Sequence, residues 1–172
     1  SLAEITIPDS VTKIGDYAFS GCISLTEITI PYSVTQIGAG AFMETNITEI
    51  AGFGNITILP YANAAPNGRG WGNYGVFYYC KELRRAVLPD SLTDIQTNSF
   101  IGCINLIDLV LAKSIVKIGN GSFLADDALV NINLTECTSL ESVGAAAFNG
   151  CNKLENIYFT NKICSNYINI RV

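Results

Sequence analysis

One side chain recurs along this chain at a near-fixed interval, and that recurrence restricts the fold more than any other feature. Phe19, Phe42, Phe77, Phe100, Phe123 and Phe148 follow one another at intervals of 23, 35, 23, 23 and 25 residues, each at the same place in a degenerate motif. Ala18-Phe19 returns as Ala41-Phe42 and again as Ala147-Phe148. A self-similar period of about 20 to 50 residues marks a solenoid, in which each repeat buries its apolar face against its neighbours. The core then grows linearly, so the 172 residues read as one domain. Such a scaffold bounds function without naming it, because activity lies in the residues that face out.

A single repeat can be read from Leu25 to Thr45, LTEITIPYSVTQIGAGAFMET. Leu25, Ile28 and Ile30 form an L-x-x-I-x-I pattern whose last two members alternate with outward residues, as a short strand requires. Pro31 ends the strand because it cannot donate to a ladder. Val34 and Ile37 form a second inward pair, Gly38 permits a bend, and Ala41-Phe42 is expected to open a short helical or 3₁₀ turn on the outer side. The first turn, Leu2 to Cys22, matches almost position by position. The fourth follows through Leu83, Leu88, Leu92, Ile95 and Phe100, and a seventh begins at Leu154, Ile157 and Phe159. About seven turns over residues 1–172 are therefore expected, with an insertion at 52–75 and a C-terminal cap or tail at 160–172. Because Ser1-Leu2 already falls within a repeat, the chain reads as part of something longer, with Leu2, Ile5 and Ile7 needing a cover. The expected class is a β-rich α/β repeat solenoid, with a parallel concave sheet and short 3₁₀ or helical turns outside.

The unit IPxSVTxIGxxAFxxCxxLxxI, as it stands from Ile7 to Ile28, resembles the leucine-rich repeats of BspA-like surface proteins. The likeness covers nearly the whole chain apart from 52–75 and the tail, and it departs at Thr45 and Asp126, where the repeat cysteine is missing. The resemblance implies a bacterial, or sometimes protozoal, protein that is secreted or surface-displayed and acts in adhesion.

Composition removes several classes. Charged residues make up 15% of the chain and the net charge is −5, so a polyanion meets repulsion and no cluster of Lys or Arg; nucleic acid is not an expected partner. Mean hydropathy is +0.32, yet no stretch approaches the roughly 18 apolar residues of a spanning helix, so membrane insertion is not expected. The chain has no histidine, which removes Ser-His-Asp, Cys-His and imidazole-metal arrangements. Gly68-Arg69-Gly70-Trp71-Gly72 has glycine spacing but neither a P-loop lysine nor a following helix pattern. No cofactor and no enzymatic activity are expected.

Cys22, Cys80, Cys103 and Cys151 share the position three residues after the phenylalanine and fall on one line. Small apolar thiols filling a fixed core slot explain them best, although a Cys80–Cys103 disulfide between neighbouring turns is geometrically conceivable. Cys137, in the small insertion of the sixth turn, and Cys164, in the tail, lie off the line and are expected to be exposed.

The outward strand residues form columns. Glu4, Glu27, Glu49, Arg85, Asp108, Asn131 and Asn156 make one, in which Arg85 offers opposite charge to Glu49 and Asp108. Carboxylates on adjacent turns also invite comparison with a glycosidase pair or a weak Ca²⁺ site, but an open face offers nothing to shift a pKa, and a solvated, partly ion-paired stripe is the plainer reading. Beside it run Thr6, Thr29, Ala51, Val87, Val110, Asn133 and Tyr158, whose middle is apolar. Val87 and Val110 with Arg85 would make a small patch on the concave face, the surface solenoids offer to partners. The insertion reads as a loop of Gly, Asn and Pro, with Phe53, Ile56, Ile58 and Leu59 filling the core of the third turn. Tyr61, Arg69, Trp71 and Tyr74, followed by Tyr78 and Tyr79, supply aromatic surface with polar tips that suits a protein hot spot or a glycan, or else seals the irregular turn. The expected function is a non-enzymatic extracellular protein-binding or adhesion module engaging a host or matrix protein. A carbohydrate-binding module using the Trp71 loop, or a spacer displaying another domain, are the alternatives.

Overall fold

The computed structural model describes residues 3–51, 53–64 and 71–159. Ser1, Leu2, Arg69, Cys164 and the 160–172 tail lie outside the described residues. Thirteen short strands succeed one another: β1 (Lys13–Ile14), β2 (Gln36–Ile37), β3 (Glu49–Ile50), β4 (Ile58–Leu59), β5 (Tyr61–Ala64), β6 (Trp71–Gly75), β7 (Arg85–Val87), β8 (Asp94–Ile95), β9 (Asp108–Val110), β10 (Lys117–Ile118), β11 (Asn131–Asn133), β12 (Ser142–Val143) and β13 (Asn156–Tyr158). All but β5 and β6 belong to two parallel ladders running along the solenoid.

The first ladder comes from the L-x-x-I-x-I segments. It contains the sheet β3-β7-β9, the pair β11-β13, and parallel bridges Thr6–Thr29 and Ile30–Phe53. The second comes from the Val-x-x-Ile segments that the sequence marks only as an inward pair, and it joins β1 to β2 and β4 to β8, β10 and β12. In the second ladder the inward residues Ile14, Ile37, Leu59, Ile95, Ile118 and Val143 are all buried. Two residues suffice for each strand because its hydrogen bonds are all inter-turn and its one inward side chain is locked in the core.

The outer corner contains no helix among the described residues, which corrects the expected helical turns and with them the α/β label. The physical reason is a pair of left-handed residues that flank the phenylalanine in most turns. Two positions before it stand Tyr17, Gly40, Asn98, Gly121 and Ala146, with φ between 55 and 60°. Two positions after it stand Gly21, Glu44, Tyr79, Gly102, Ala125 and Gly150, with φ between 56 and 73°. A right-handed helix cannot pass through such residues. What forms instead is a chain of β-turns, such as that closed by Cys103 N–H to Phe100 carbonyl at 3.1 Å. Alternate N–H groups point along the solenoid axis to the next turn: Asn98 to Asn120 at 3.0 Å, Phe100 to Ser122 at 2.8 Å and Gly102 to Leu124 at 2.9 Å. The corner thus acts as a third ladder, satisfying donors that a helix would have satisfied internally.

Inside that corner the six phenylalanines stack. Successive centroids from Phe19 to Phe148 are 5.2, 5.6, 5.1, 5.3 and 5.4 Å apart, with interplanar angles of 18° or less. Each contact contributes about 0.5–1.5 kcal/mol beyond the area it buries. The residue just before each ring is small in most turns, with Ala41, Ser99, Ser122 and Ala147 buried there, while the third turn buries Val76 before Phe77.

The insertion is a β-hairpin rather than a loop. β5 and β6 pair antiparallel, Tyr61 opposite Gly75 and Ala62 opposite Tyr74, with a register shift between Ala62 and Ala64. Phe53, Ile56 and Leu59 fill the core of the third turn as expected, whereas Ile58 faces outward on β4 and is exposed.

Candidate functional site

On the first ladder the register places Arg85 between Glu49 on one side and Asp108 on the other. Its Nη1 donates to Glu49 Oε1 at 2.7 Å and its Nε to Asp108 Oδ2 at 2.7 Å. The bonds to Asp108 and Glu49 hold the guanidinium above its ordinary value. All three side chains are about half exposed, so the triad orders the surface rather than stabilising the fold. Both carboxylates are thereby committed to one cation. Asn131 and Asn156 continue the column, with the Asn156 amide donating to Asn131 Oδ1 at 2.9 Å. Among the described residues no three His, Cys, Asp or Glu side chains gather as metal ligands.

In the next column Val87 pairs with Val110, which is 43% exposed. Val87 also borders a groove of about 390 Å³ whose other walls are Thr29, Pro31, Tyr32, Phe53, Leu88 and Pro89. At the groove the third turn pairs Phe53 with Ile30 and buries its ring beneath the surface. Tyr32, 77% exposed, stands at its rim. This groove extends the expected valine patch and was not anticipated from the sequence.

The hairpin divides the aromatic residues that the sequence groups together. Because Ala62 faces Tyr74 across the pair while Tyr61 faces Gly75, Tyr61 and Tyr74 sit on opposite hairpin faces. Tyr74 packs edge-on against Tyr78 at 5.0 Å and Tyr17 at 6.5 Å, and Tyr78 lies 4.7 Å from Tyr79. Burial pushes the Tyr78 phenol up, helped by Tyr79, Tyr74 and Glu44. Lys81 lies over the Tyr79 ring at 5.7 Å. These rings clamp the hairpin to the outer corner, which is the sealing role. Trp71 opens β6 opposite Ala64, and Arg69 falls outside the described residues.

Cys80, Cys103 and Cys151 fill the expected column as free thiols, so Cys80 and Cys103 are not bridged. Each donates to the phenylalanine carbonyl of the preceding turn: Cys80 to Phe42 at 3.0 Å, Cys103 to Phe77 at 3.3 Å and Cys151 to Phe123 at 3.1 Å. Burial pushes the Cys80 and Cys151 thiols up to about 12, so neither is a nucleophile. Cys137 is buried as well, which corrects its expected exposure; its thiol donates to the Ala112 carbonyl at 3.4 Å. The missed signal is Cys137-x-x-Leu140, the same spacing and the same 3.1 Å turn bond as Cys80 to Leu83.

A repeating corner-and-two-ladder cross-section stacked on a phenylalanine column defines the class: a parallel β-solenoid of leucine-rich repeats. The chain belongs to the family described as "BspA type Leucine rich repeat region", which it matches in six copies over residues 1–62 and 73–170. The interruption, 63–72, begins in β5 and ends in β6. Three solved structures share the fold. A leucine-rich repeat protein from Eubacterium ventriosum is 24% identical with a TM-score of 0.74, over 87% of this chain and 37% of that one. One from T. pallidum is 27% identical with a TM-score of 0.52, over 86% and 51%. A leucine-rich repeat protein from Bacteroides ovatus is 24% identical with a TM-score of 0.54, over 89% and 48%. The chain therefore spans roughly a third to a half of the length of these proteins. No curated protein matches it.

Proposed function

We propose that this chain is a protein-binding module of a secreted or surface-displayed protein, and that it engages a host or matrix protein through the first ladder. Family membership supports the general role. The observation that carries the site is the run of apolar surface from Val110 through Val87 into the Tyr32–Phe53 groove. Beside it Arg85 is paired with both Glu49 and Asp108, a triad of net charge −1. An apolar centre with a polar, internally paired rim is how protein interfaces are organised. Tyr32 is the anchor residue most available to a partner.

The test is a binding screen of the full chain against a panel of immobilised serum and extracellular-matrix proteins. At least one should bind, and Val87→Asp with Val110→Asp should weaken that binding tenfold or more without lowering Tm. A panel with no binder, or a double variant that binds as well as the parent, would count against this face.

A further inference from the structure

A second groove lies on the other ladder, remote from the valine patch. β5 starts directly after Pro60, where the chain leaves β4, so Tyr61 stands beside the outward faces of β8, β10 and β12. With Gln96, Thr97, Lys117, Asn120 and Ser142 it borders a groove of about 680 Å³. Tyr61 is 38% exposed and occupies the hairpin face turned away from the Tyr74 cluster.

Gln96 departs from the repeat here. Its equivalents are Gly15, Gly38, Gly119 and Gly144, with Pro60 in the third turn. At Gly119 and Gly144 a Cβ would come within 2.7 and 2.5 Å of the preceding turn's backbone. The fourth turn escapes this crowding because the third turn leaves the ladder at Pro60 to form the hairpin. A residue with a long amide side chain thus borders the groove at a position that is Pro60 in the third turn and crowded glycine at Gly119 and Gly144.

The groove's chemistry is specific. Lys117 is the sole ion among the bordering residues, and its register partner on β8 is Asp94. Gln96, Asn120, Thr97 and Ser142 supply amides and hydroxyls, each able to donate and to accept. Asn120 is held in place, its Oδ1 accepting the Ala145 N–H at 2.9 Å, which leaves its NH₂ group as the donor end.

We propose that this groove is an oligosaccharide-binding site, with Tyr61 as the stacking surface and Gln96, Asn120 and Ser142 as hydrogen-bonding partners. A sugar ring combines an apolar C–H face with hydroxyls that donate and accept, the same pairing of an aromatic surface with mixed polar groups found here. A polyanion would need more cations than Lys117. A protein partner would need buried apolar anchors, and Tyr61 is the one exposed large apolar side chain among the bordering residues. Without paired carboxylates the groove retains a glycan and does not cleave it. From the third turn to the sixth it runs about 14 Å at ~4.8 Å per turn, the reach of a short oligosaccharide lying along the axis.

The test is a glycan array of plant, mucin-type and microbial oligosaccharides probed with the whole chain, followed by titration of the strongest binder. Tyr61→Ala should weaken that binding tenfold or more, and Tyr61→Phe should largely preserve it. Gln96→Gly, which installs the residue most other turns carry and so keeps the fold, should also weaken it several-fold. The Val87→Asp, Val110→Asp double variant should bind the glycan normally, which separates this groove from the first ladder. An array without any binder, or binding that survives both Tyr61→Ala and Gln96→Gly, overturns the proposal.

Discussion

Asp126 accepts the backbone N–H of Cys103, 23 residues earlier, on Oδ1 at 2.8 Å, while its Oδ2 has no hydrogen-bond partner among the described residues. It stands where the repeat carries cysteine, fully buried. Desolvation raises its pKa well above the ordinary carboxyl value, the Cys103 N–H opposes this, and Asp127 adds to it. The Cys103 and Cys151 thiols beside it are themselves pushed up by burial. Because the folded pKa is raised, the native state holds the proton more tightly than the unfolded chain. Stability is then fully present below the unfolded value of about 3.9 and is lost as pH rises through the folded pKa. Asp126→Asn keeps an acceptor for Cys103 and removes the charge. Thermal unfolding of the two proteins should coincide near pH 3 and diverge in favour of the Asn variant as pH rises; parallel curves would refute this account.

The phenylalanine column should be strongest in its middle. Phe100 is fully buried between Phe77 and Phe123, whereas Phe19 has a ring on one side only and is half-buried. Phe100→Ala should cost about 3–5 kcal/mol in denaturant unfolding, and Phe19→Ala less than half of that.

Two nearby substitutions should have opposite signs. Ala146 has φ 55° in a left-handed position, so Ala146→Gly relieves about 1 kcal/mol of strain against a smaller entropic cost and should stabilise by about 0.5 kcal/mol. Gly144→Ala would drive a Cβ to 2.5 Å from the Asn120 backbone nitrogen and should destabilise by more than about 2 kcal/mol. Denaturant midpoints of the two variants check both signs at once.

The thiols provide a readout of integrity. Cys80, Cys103, Cys137 and Cys151 are buried, and Cys22 is half-buried in the first turn. A thiol reagent at pH 8 should leave the four buried groups unlabelled in the native protein and modify them only on unfolding. Labelling of Cys137 at the rate of a free thiol would show that the sixth turn is open.

How much of this was legible in the sequence depended on what each feature rests upon. The solenoid was readable because a stacked ring must return at one interval, and the Glu49–Arg85–Asp108 triad because a common frame turns positions into columns. The outer corner was not. Its left-handed residues include Tyr17, Ala125 and Ala146, whose side chains carry no signal for that conformation, and inter-turn N–H bonds impose it. Nor could composition show that Tyr61 and Tyr74 face opposite ways, since that follows from the hairpin register. Cys137 and Gln96 were readable in principle: one keeps the Cys-x-x-Leu spacing and the other breaks the run of glycines.

The inter-turn bonds at the outer corner carry a consequence for growth. Phe100 bonds to Ser122 and Phe123 to Ala147 with the same atoms at the same 2.8 Å, so the regular turns repeat one another's inter-turn chemistry. Duplicating a whole repeat lengthens the protein by ~4.8 Å and leaves every existing bond in place. Repeat number is thus a ruler, each regular turn adding one fixed step to the length of the solenoid.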